Sequence, residues 1–385
     1  MPYTAPSTVS AGQTYASAAH NVIVNDIIDH ESRLLTVQNT QYPFRNILLN
    51  GAMQVSQRAT SVSGSTTGGY LTADRWYSQI NSLGTWTNAI SADAPTGSGF
   101  RNSFRLTATA SAVTSSGSYA IVSQRLEGQT LQHLKKGTSS AQQLTLSFWV
   151  KSNKTGTYIS DLYDNNNNRQ VGASYTINAA DTWESKTITF PADTTGVFTN
   201  DSNFSLSLSF WLGAGTDYTS GSLNTSWNTS TNANRAVGQT NLAGATNQYL
   251  AITGVQLEPG NVASPYEFVL YQDELRRCQR YYWKMTAPVQ YACLGSGYVY
   301  ATSGASFYIK YPTTMRGTPN LVTQSGMSVG YANSSTSVSA VSSAYYGSDS
   351  MLLVASTAAV LTIGQGVVLY ATSAGSNYVD VSAEL

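Results

Sequence analysis

The sequence predicts a mainly β fold with a short helical segment near its start, and three observations carry this prediction. Charged residues are only 10% of the 385 residues, so Ser, Thr, Asn and Gly supply most of the polarity. Apolar and polar residues alternate in many short segments, which is the period of a half-buried antiparallel strand. Runs of Gly, Asn and Ser separate these segments, as turns do. The length predicts two or three domains.

Composition and charge exclude several classes of partner. Lysine and arginine total 20, as do aspartate and glutamate, so the formal charge is zero and a nucleic-acid or anionic-membrane binder is not expected. The start of the chain lacks the basic and apolar regions of a secretory signal, and no later run reaches the roughly 18 apolar residues of a membrane span. We therefore expect synthesis in the cytoplasm without a signal peptide, and no membrane insertion.

Metal and cofactor sites are not expected either. Cys278 and Cys293 make neither a disulfide framework nor a zinc site, and the three histidines are too scattered to form a ligand set. The segment 161–170, DLYDNNNNRQ, offers oxygen ligands that Ca²⁺ would accept. It lacks the spacing of a calcium loop, so we interpret it as an Asn-rich turn.

Residues 17–37 are the best helix candidate, because apolar side chains recur at three- and four-residue spacing. A single helix ahead of a β region has no packing surface of its own, so its stripe is expected to meet copies of itself or a partner. The first 41 residues are therefore predicted to be an attachment and assembly segment. The alternative is a helix folded back on the first β domain. The stripe consists of Val24, Ile27, Ile28, Leu34 and Leu35.

Residues 42–270 are predicted to form a jelly-roll β-sandwich. The segments LTLSFWVKS, at 144–152, and FSLSLSFWL, at 204–212, alternate apolar and polar residues. In YLAITGVQLE the apolar positions change parity across Gly254, which predicts a β-bulge at that glycine. Strands of this kind, separated by Gly/Ser/Asn loops, indicate a sandwich.

A long polar tract at 213–248 interrupts the predicted sandwich, and its large side chains are Tyr218 and Trp227. Loops of this length are often functional. An exposed aromatic ring in such a loop could stack on a sugar, but it could equally attach the loop to the sandwich. We name both residues as candidate glycan contacts and favour the structural interpretation.

Charge concentrates in YQDELRRCQRYYWKM, and residues 271–284 are predicted to be a connector helix between two β domains. Asp273 and Glu274 lie in its first turn and the arginines follow, which complements the helix dipole. An active site would need converging carboxylates or an activated nucleophile, whereas these charges are spaced to pair with one another. The segment Asp74–Trp76 is likewise interpreted as a buried structural pair beside a tryptophan in a strand, not as a catalytic motif.

Residues 285–385 are predicted to be a second, smaller β-sandwich. ASFYIKYP alternates Phe307, Ile309 and Tyr311 on one face, and QGVVLYAT alternates in the same way. The segment SSAYYGSDS places Tyr345 and Tyr346 in a predicted turn-rich loop, where they are candidate glycan contacts. Packing in the core and at the strand edge is the favoured alternative for this pair.

Several segments, in this order, resemble a family of bacteriophage tail-fibre and related virion structural proteins. In that family a jelly-roll domain like a carbohydrate-binding module is followed by a "cQRYY" helix and a distal β domain. The resemblance covers about 42–320 and the end of the chain, whereas the first forty residues are similar only to proximal attachment segments. The segments are NILLNGAMQVSQRAT, YLTADRWY, LTLSFWVKS, GVQLEPGNVASPYE, ELRRCQRYYWK, IKYPTTMRGTPN and DVSAEL.

The resemblance implies a homotrimeric tail fibre that adsorbs to a host-surface glycan, and it carries over no catalytic residues. Its partners would be itself, a phage tail or other virion protein through residues 1–41, and host polysaccharide. The alternative is an architectural appendage, such as a head or collar fibre or a capsid decoration protein. A depolymerase tailspike is not expected, because the sequence shows neither a repetitive β-helix nor a pair of positioned carboxylates.

Overall fold

The computed structural model describes Asn25, Asp26 and Asp29 and residues 44–287, 289–332, 334–372 and 378–385. At 322–325 and 343–345 it describes the backbone alone. The chain divides into two compact units, Met1–Arg45 and Asn46–Leu385. In the first unit the three described residues before Phe44 are helical. The predicted apolar stripe lies outside the described residues, so its role stays a prediction: Val24, Ile27, Ile28, Leu34 and Leu35.

The mainly β fold is confirmed, and two antiparallel sheets form the predicted sandwich. In chain-order numbering, the six-stranded sheet runs β1 (Ser61–Ser65), β4 (Thr85–Ser91), β5 (Ser103–Ala110), β13 (Tyr249–Pro259), β7 (Leu144–Ser152) and β10 (Glu184–Phe190). The seven-stranded sheet runs β12 (Asn228–Thr229), β9 (Arg169–Ile177), β8 (Gly156–Asp164), β11 (Phe204–Ala214), β6 (Tyr119–Glu127), β3 (Tyr77–Asn81) and β2 (Gly68–Gly69).

The two sheets bury a common aromatic and aliphatic core. Strands β7 and β11 are the alternating segments of the sequence, and their apolar side chains point inward as predicted. Phe148 of β7 meets Phe210 of β11 edge to face, with ring centroids 5.0 Å apart, and Trp76 lies 6.4 Å from Phe210. All three side chains are buried.

The predicted bulge at Gly254 is confirmed. The pairing of β13 with β7 shifts register between Thr253 and Gln256, and Gly254 has a φ of +60°. A Cβ atom at this position would lie 2.5 Å from the ring of Phe100. Both the backbone conformation and the neighbouring ring therefore require glycine here.

Helices are few and short in the described part of the unit Asn46–Leu385. They are α1 (Thr216–Thr219), α2 (Tyr271–Gln279) and three 3-10 helices, Gly128–Leu134, Asn232–Asn234 and Leu242–Gly244. None of the described helices is long and apolar enough to cross a membrane. The predicted connector helix 271–284 was too long at its C-terminal end: after Gln279 the chain enters β14 (Tyr282–Thr286). Consecutive aromatic residues favour strand over helix at that point.

The distal strands differ from the predicted second sandwich. A small sheet runs β14, β22 (Tyr378–Ser382) and β17 (Asn320–Ser325). A closed barrel runs β15 (Cys293–Ala301), β16 (Gly304–Lys310), β20 (Ser350–Thr357), β19 (Ser334–Tyr346), β18 (Met327–Tyr331) and β21 (Gly366–Ala371). The barrel forms because β21 pairs with β15 as well as β18. Closure gives hydrogen-bond partners to the backbone groups at both sheet edges.

Candidate functional site

The charged segment lies between the sandwich core and the barrel core, and its arginine and tyrosine side chains bond across that boundary. Arg280 donates two hydrogen bonds to the buried carboxylate of Glu127, at 2.9 and 2.8 Å, and the Tyr281 hydroxyl donates to the same group. Burial alone would raise the pKa of Glu127, but the hydrogen bonds from Arg280 and Tyr281 lower it below its usual value. This carboxylate is therefore held ionised.

A second buried arginine joins distant parts of the sequence. The Arg75 guanidinium pairs with the carboxylate of Glu384 through Nη1 and donates through Nη2 to the Arg125 carbonyl at 2.7 Å. Its central carbon lies 3.5 Å from the ring centroid of Tyr281. Arg58 adds a hydrogen bond to Glu384 at 3.1 Å. We call these groups, together with Glu127 and Arg280, the interdomain joint.

The segment Asp74–Trp76 contributes Arg75 to this joint, where it has a structural role. The Asp74 carboxylate accepts hydrogen bonds from the backbone and side-chain nitrogens of Gln57, at 3.0 and 2.5 Å. It does not pair with the neighbouring Arg75, contrary to what the sequence had suggested. Burial raises the pKa of Asp74 to about 6, against the effect of these hydrogen bonds. The segment was predicted to lie in a strand, but Arg75 has a φ of +71° in a turn. The turn aims Arg75 at the joint while Trp76 enters the core.

Tyr218 lies in residues 213–248, here called the covering segment, which crosses the outer face of the seven-stranded sheet. Its ring packs against Tyr119 and Trp211, with centroids 5.1 and 5.5 Å away. Arg235 of the same segment donates to the Asp161 carboxylate at 2.8 Å, and the Trp211 indole nitrogen donates to Asp161 at 3.1 Å. Tyr218 thus helps to attach the covering segment to the sheet.

Trp227 also attaches the covering segment. Its indole nitrogen donates to the Pro191 carbonyl at 2.8 Å, and the Lys136 ammonium lies 5.3 Å from its ring centroid. The Asn-rich turn beside it is occupied by protein contacts, because the Asp164 carboxylate accepts from Lys136 at 2.5 Å and from Asn167 at 2.9 Å. The aspartate side chains of this segment therefore bind other groups of the sandwich, in agreement with its interpretation as an Asn-rich turn.

The outer face of the six-stranded sheet is crossed by the loop before β5. Thr253 donates to the Asn102 carbonyl at 2.7 Å, and Asp93 accepts from Lys151 at 2.9 Å and from Trp183 at 3.0 Å. The loop is therefore bonded to strands β7 and β13. Both outer faces of the sandwich are thus partly covered by the chain itself.

The barrel, in contrast, presents aromatic rings to solvent. Tyr298 on β15 is 51% exposed, Tyr308 on β16 is 61% exposed, and Val368 on β21 is 41% exposed. Serines stand opposite them, since Tyr298 pairs with Ser306 and Val368 pairs with Ser296. We call Tyr298, Tyr308 and Val368, with the two serines, the tyrosine wall.

The tyrosine wall has almost no charge around it. Between 287 and 378 the sequence has three charged residues, Lys310, Arg316 and Asp349. Arg316 donates to the carbonyls of Ala383 and Ser202, at 2.6 and 2.9 Å, so it faces the joint. Recognition at this surface would rest on ring faces and hydroxyl groups.

The predicted loop around Tyr345 and Tyr346 is wrong: both residues end strand β19, where they pair with Leu352 and Met351. The Tyr346 side chain is 39% exposed, and that of Tyr345 lies outside the description. Glycan contact by either residue stays a prediction. Sequence reasoning missed Tyr298 and Tyr308, although both occupy the strand parity opposite to buried neighbours and could have been recognised by that alternation.

No family model and no curated protein matches the chain. Solved structures that resemble it include the enzymatically active domain of bacteriophage CBA120 tailspike protein 4, at 15% identity and a TM-score of 0.30, covering 57% of this chain and 22% of that one. Thus the match spans less than a quarter of that tailspike chain.

The matches to two sugar-binding structures span slightly less of this chain but nearly the full length of those two chains. The family 11 carbohydrate-binding module from Clostridium thermocellum, in complex with a β-1,3-1,4-mixed-linked tetrasaccharide, has 14% identity, a TM-score of 0.28 and coverage of 53% and 98%. A putative sugar binding protein from Bacteroides thetaiotaomicron has 14% identity, a TM-score of 0.31 and coverage of 56% and 99%.

Proposed function

We propose that this protein is a homotrimeric bacteriophage tail fibre that adsorbs to a host-surface polysaccharide through its distal barrel. The observation that carries the proposal is the tyrosine wall, where two strongly exposed rings lie on adjacent strands in a nearly uncharged surface. Exposed aromatic patches of this kind indicate binding surfaces. The ordered motifs of the sequence supply the virion context.

The wall suits a saccharide because each ring offers a flat apolar face and a hydroxyl group. Tyr298 and Tyr308 are diagonal neighbours across β15 and β16, a placement that separates α-carbons by roughly 7–8 Å. Two rings at this spacing can contact one oligosaccharide chain. Each such contact is weak, and a trimer would supply avidity by engaging several copies of the same glycan.

A second candidate function is an architectural appendage of the particle without a receptor role. The interdomain joint favours it, since buried ion pairs couple the sandwich residues Arg75 and Glu127 to Glu384 near the end of the chain and to Arg280 after α2. The covered outer faces of the sandwich are also consistent with a stiff spacer. Adsorption measurements distinguish the two functions.

Replacing both wall tyrosines, Tyr298→Ser with Tyr308→Ser, is expected to reduce adsorption of phage particles to host cells by at least tenfold. Each ring is expected to contribute about 1 kcal/mol of stacking, and avidity multiplies the loss. The matched control is Tyr271→Ser, which removes a tyrosine that is 55% exposed outside the barrel. Normal adsorption by the double variant, at equal incorporation into particles, would favour the architectural function.

The trimer is tested separately by light scattering on the full chain. We expect three times the monomer mass, because the predicted stripe at 24–35 needs partner helices to bury it. A monomer at micromolar concentration would contradict this part of the proposal.

A further inference from the structure

A pocket of about 380 Å³ opens on the sandwich. It lies between the 3-10 helix Gly128–Leu134, the turn that follows it, and the loop that leads to β11. Its apolar lining consists of Val197, which is 61% exposed, and of Leu131 and Phe198, which are buried. Gln132, Thr138 and Ser140 supply polar groups at its edge. We call it the end pocket.

The walls of the end pocket are held by side-chain hydrogen bonds to backbone carbonyls. The Gln132 side-chain amide donates to the carbonyls of Gly128 and Phe198, at 2.8 and 3.3 Å. The buried Lys136 ammonium donates to the carbonyls of Thr195 and Gly196, at 3.0 and 2.8 Å. Both sides of the pocket are therefore fixed before any ligand arrives, which reduces the entropy cost of binding.

The charge of the end pocket is set by Lys135. Behind the wall, Lys136 and Arg169 balance Asp164 and Asp193 through ion pairs at 2.5, 3.0 and 2.8 Å, so that cluster is neutral. Lys135 is exposed at the edge, and none of the described carboxylates forms an ion pair with it. The pocket therefore presents one uncompensated positive charge beside apolar and hydroxyl-bearing walls.

We propose that the end pocket binds a carboxylate-bearing sugar unit, such as a uronic acid residue of a surface polysaccharide. Its volume lies within the range of small-molecule sites, at about 300–1,000 Å³. Val197, which is 61% exposed, offers apolar contact to the sugar ring, and Lys135 at the edge of the pocket can pair with the carboxylate. This site differs from the tyrosine wall in place and in charge, so the outcome at one does not decide the other.

The test is a calorimetric titration of the full chain with glucuronate and, in parallel, with glucose. Glucuronate is expected to bind about fivefold more tightly, because a partly exposed ion pair adds that much affinity. Lys135→Asn should bring glucuronate down to the affinity of glucose. Asparagine is chosen because Lys135 has a φ of +52°, which asparagine tolerates. The control is Arg276→Asn, which removes an exposed cation from α2 and should change nothing.

Three results would overturn the proposal. They are equal affinity for the two sugars, unchanged glucuronate affinity in the Lys135→Asn variant, and no heat of binding with either sugar at millimolar concentration. A second variant, Ser140→Trp, fills the mouth of the pocket and should abolish the difference in affinity between the two sugars. If it does not, the sugar binds elsewhere and the assignment is wrong. Equal thermal midpoints of wild type and variants confirm that each variant is folded.

Discussion

Replacing Arg75 by methionine is expected to lower the free energy of unfolding by about 3–5 kcal/mol. The substitution removes the cation but keeps a side chain of similar length. It leaves the Glu384 carboxylate, whose side chain is 7% exposed, with the more distant cation Arg58. It also removes the hydrogen bond to the Arg125 carbonyl and the stacking on Tyr281. The cost arises chiefly because a buried carboxylate loses its closest counter-charge.

Urea denaturation followed by tryptophan fluorescence measures this loss. Arg276→Met is the matched control, since Arg276 lies exposed on α2 and should change stability by no more than about 0.5 kcal/mol. The pair thus compares the same substitution at a buried and an exposed position. Equal stability of the two variants would show that the buried pair contributes nothing beyond an exposed arginine.

The Gly254→Ala variant is expected to be less stable than the wild type by about 2–4 kcal/mol, from two additive sources. The φ of +60° is unfavourable for alanine, and the new Cβ would lie 2.5 Å from the Phe100 ring, which must move. That ring packs against Tyr266 and Phe268, at 4.9 and 5.2 Å between centroids, so its displacement disturbs a cluster.

Gly64→Ala separates the two sources. Gly64 has a φ of +74°, but a Cβ there would have no heavy atom within 4 Å. This control should lose only the backbone part, about 1 kcal/mol. Thermal unfolding of both variants measures the difference. If Gly254→Ala is no less stable than Gly64→Ala, the bulge tolerates a side chain and the close approach of Phe100 is not restrictive.

Local patterns in the sequence were sufficient for the β class and for individual strands. Alternation in 144–152 and 204–212 placed β7 and β11 correctly, and the parity change at Gly254 located the bulge. These features depend on residues a few positions apart, because side chains of a strand point alternately to its two faces. The same local rule could have identified Tyr308 as a surface residue, because it alternates with the core residues Phe307 and Ile309.

The sequence by itself therefore determined the mainly β class, the alternating strands, the bulge and the position of a charged connector between two β regions. Only the tertiary structure decided that the distal strands close into a barrel, since closure depends on β21 finding β15 across the intervening chain. It also decided the partners of the charged groups: Arg75 meets Glu384, 309 residues away. A local pattern records which face a residue occupies, whereas pairing between distant segments depends on how the whole chain packs.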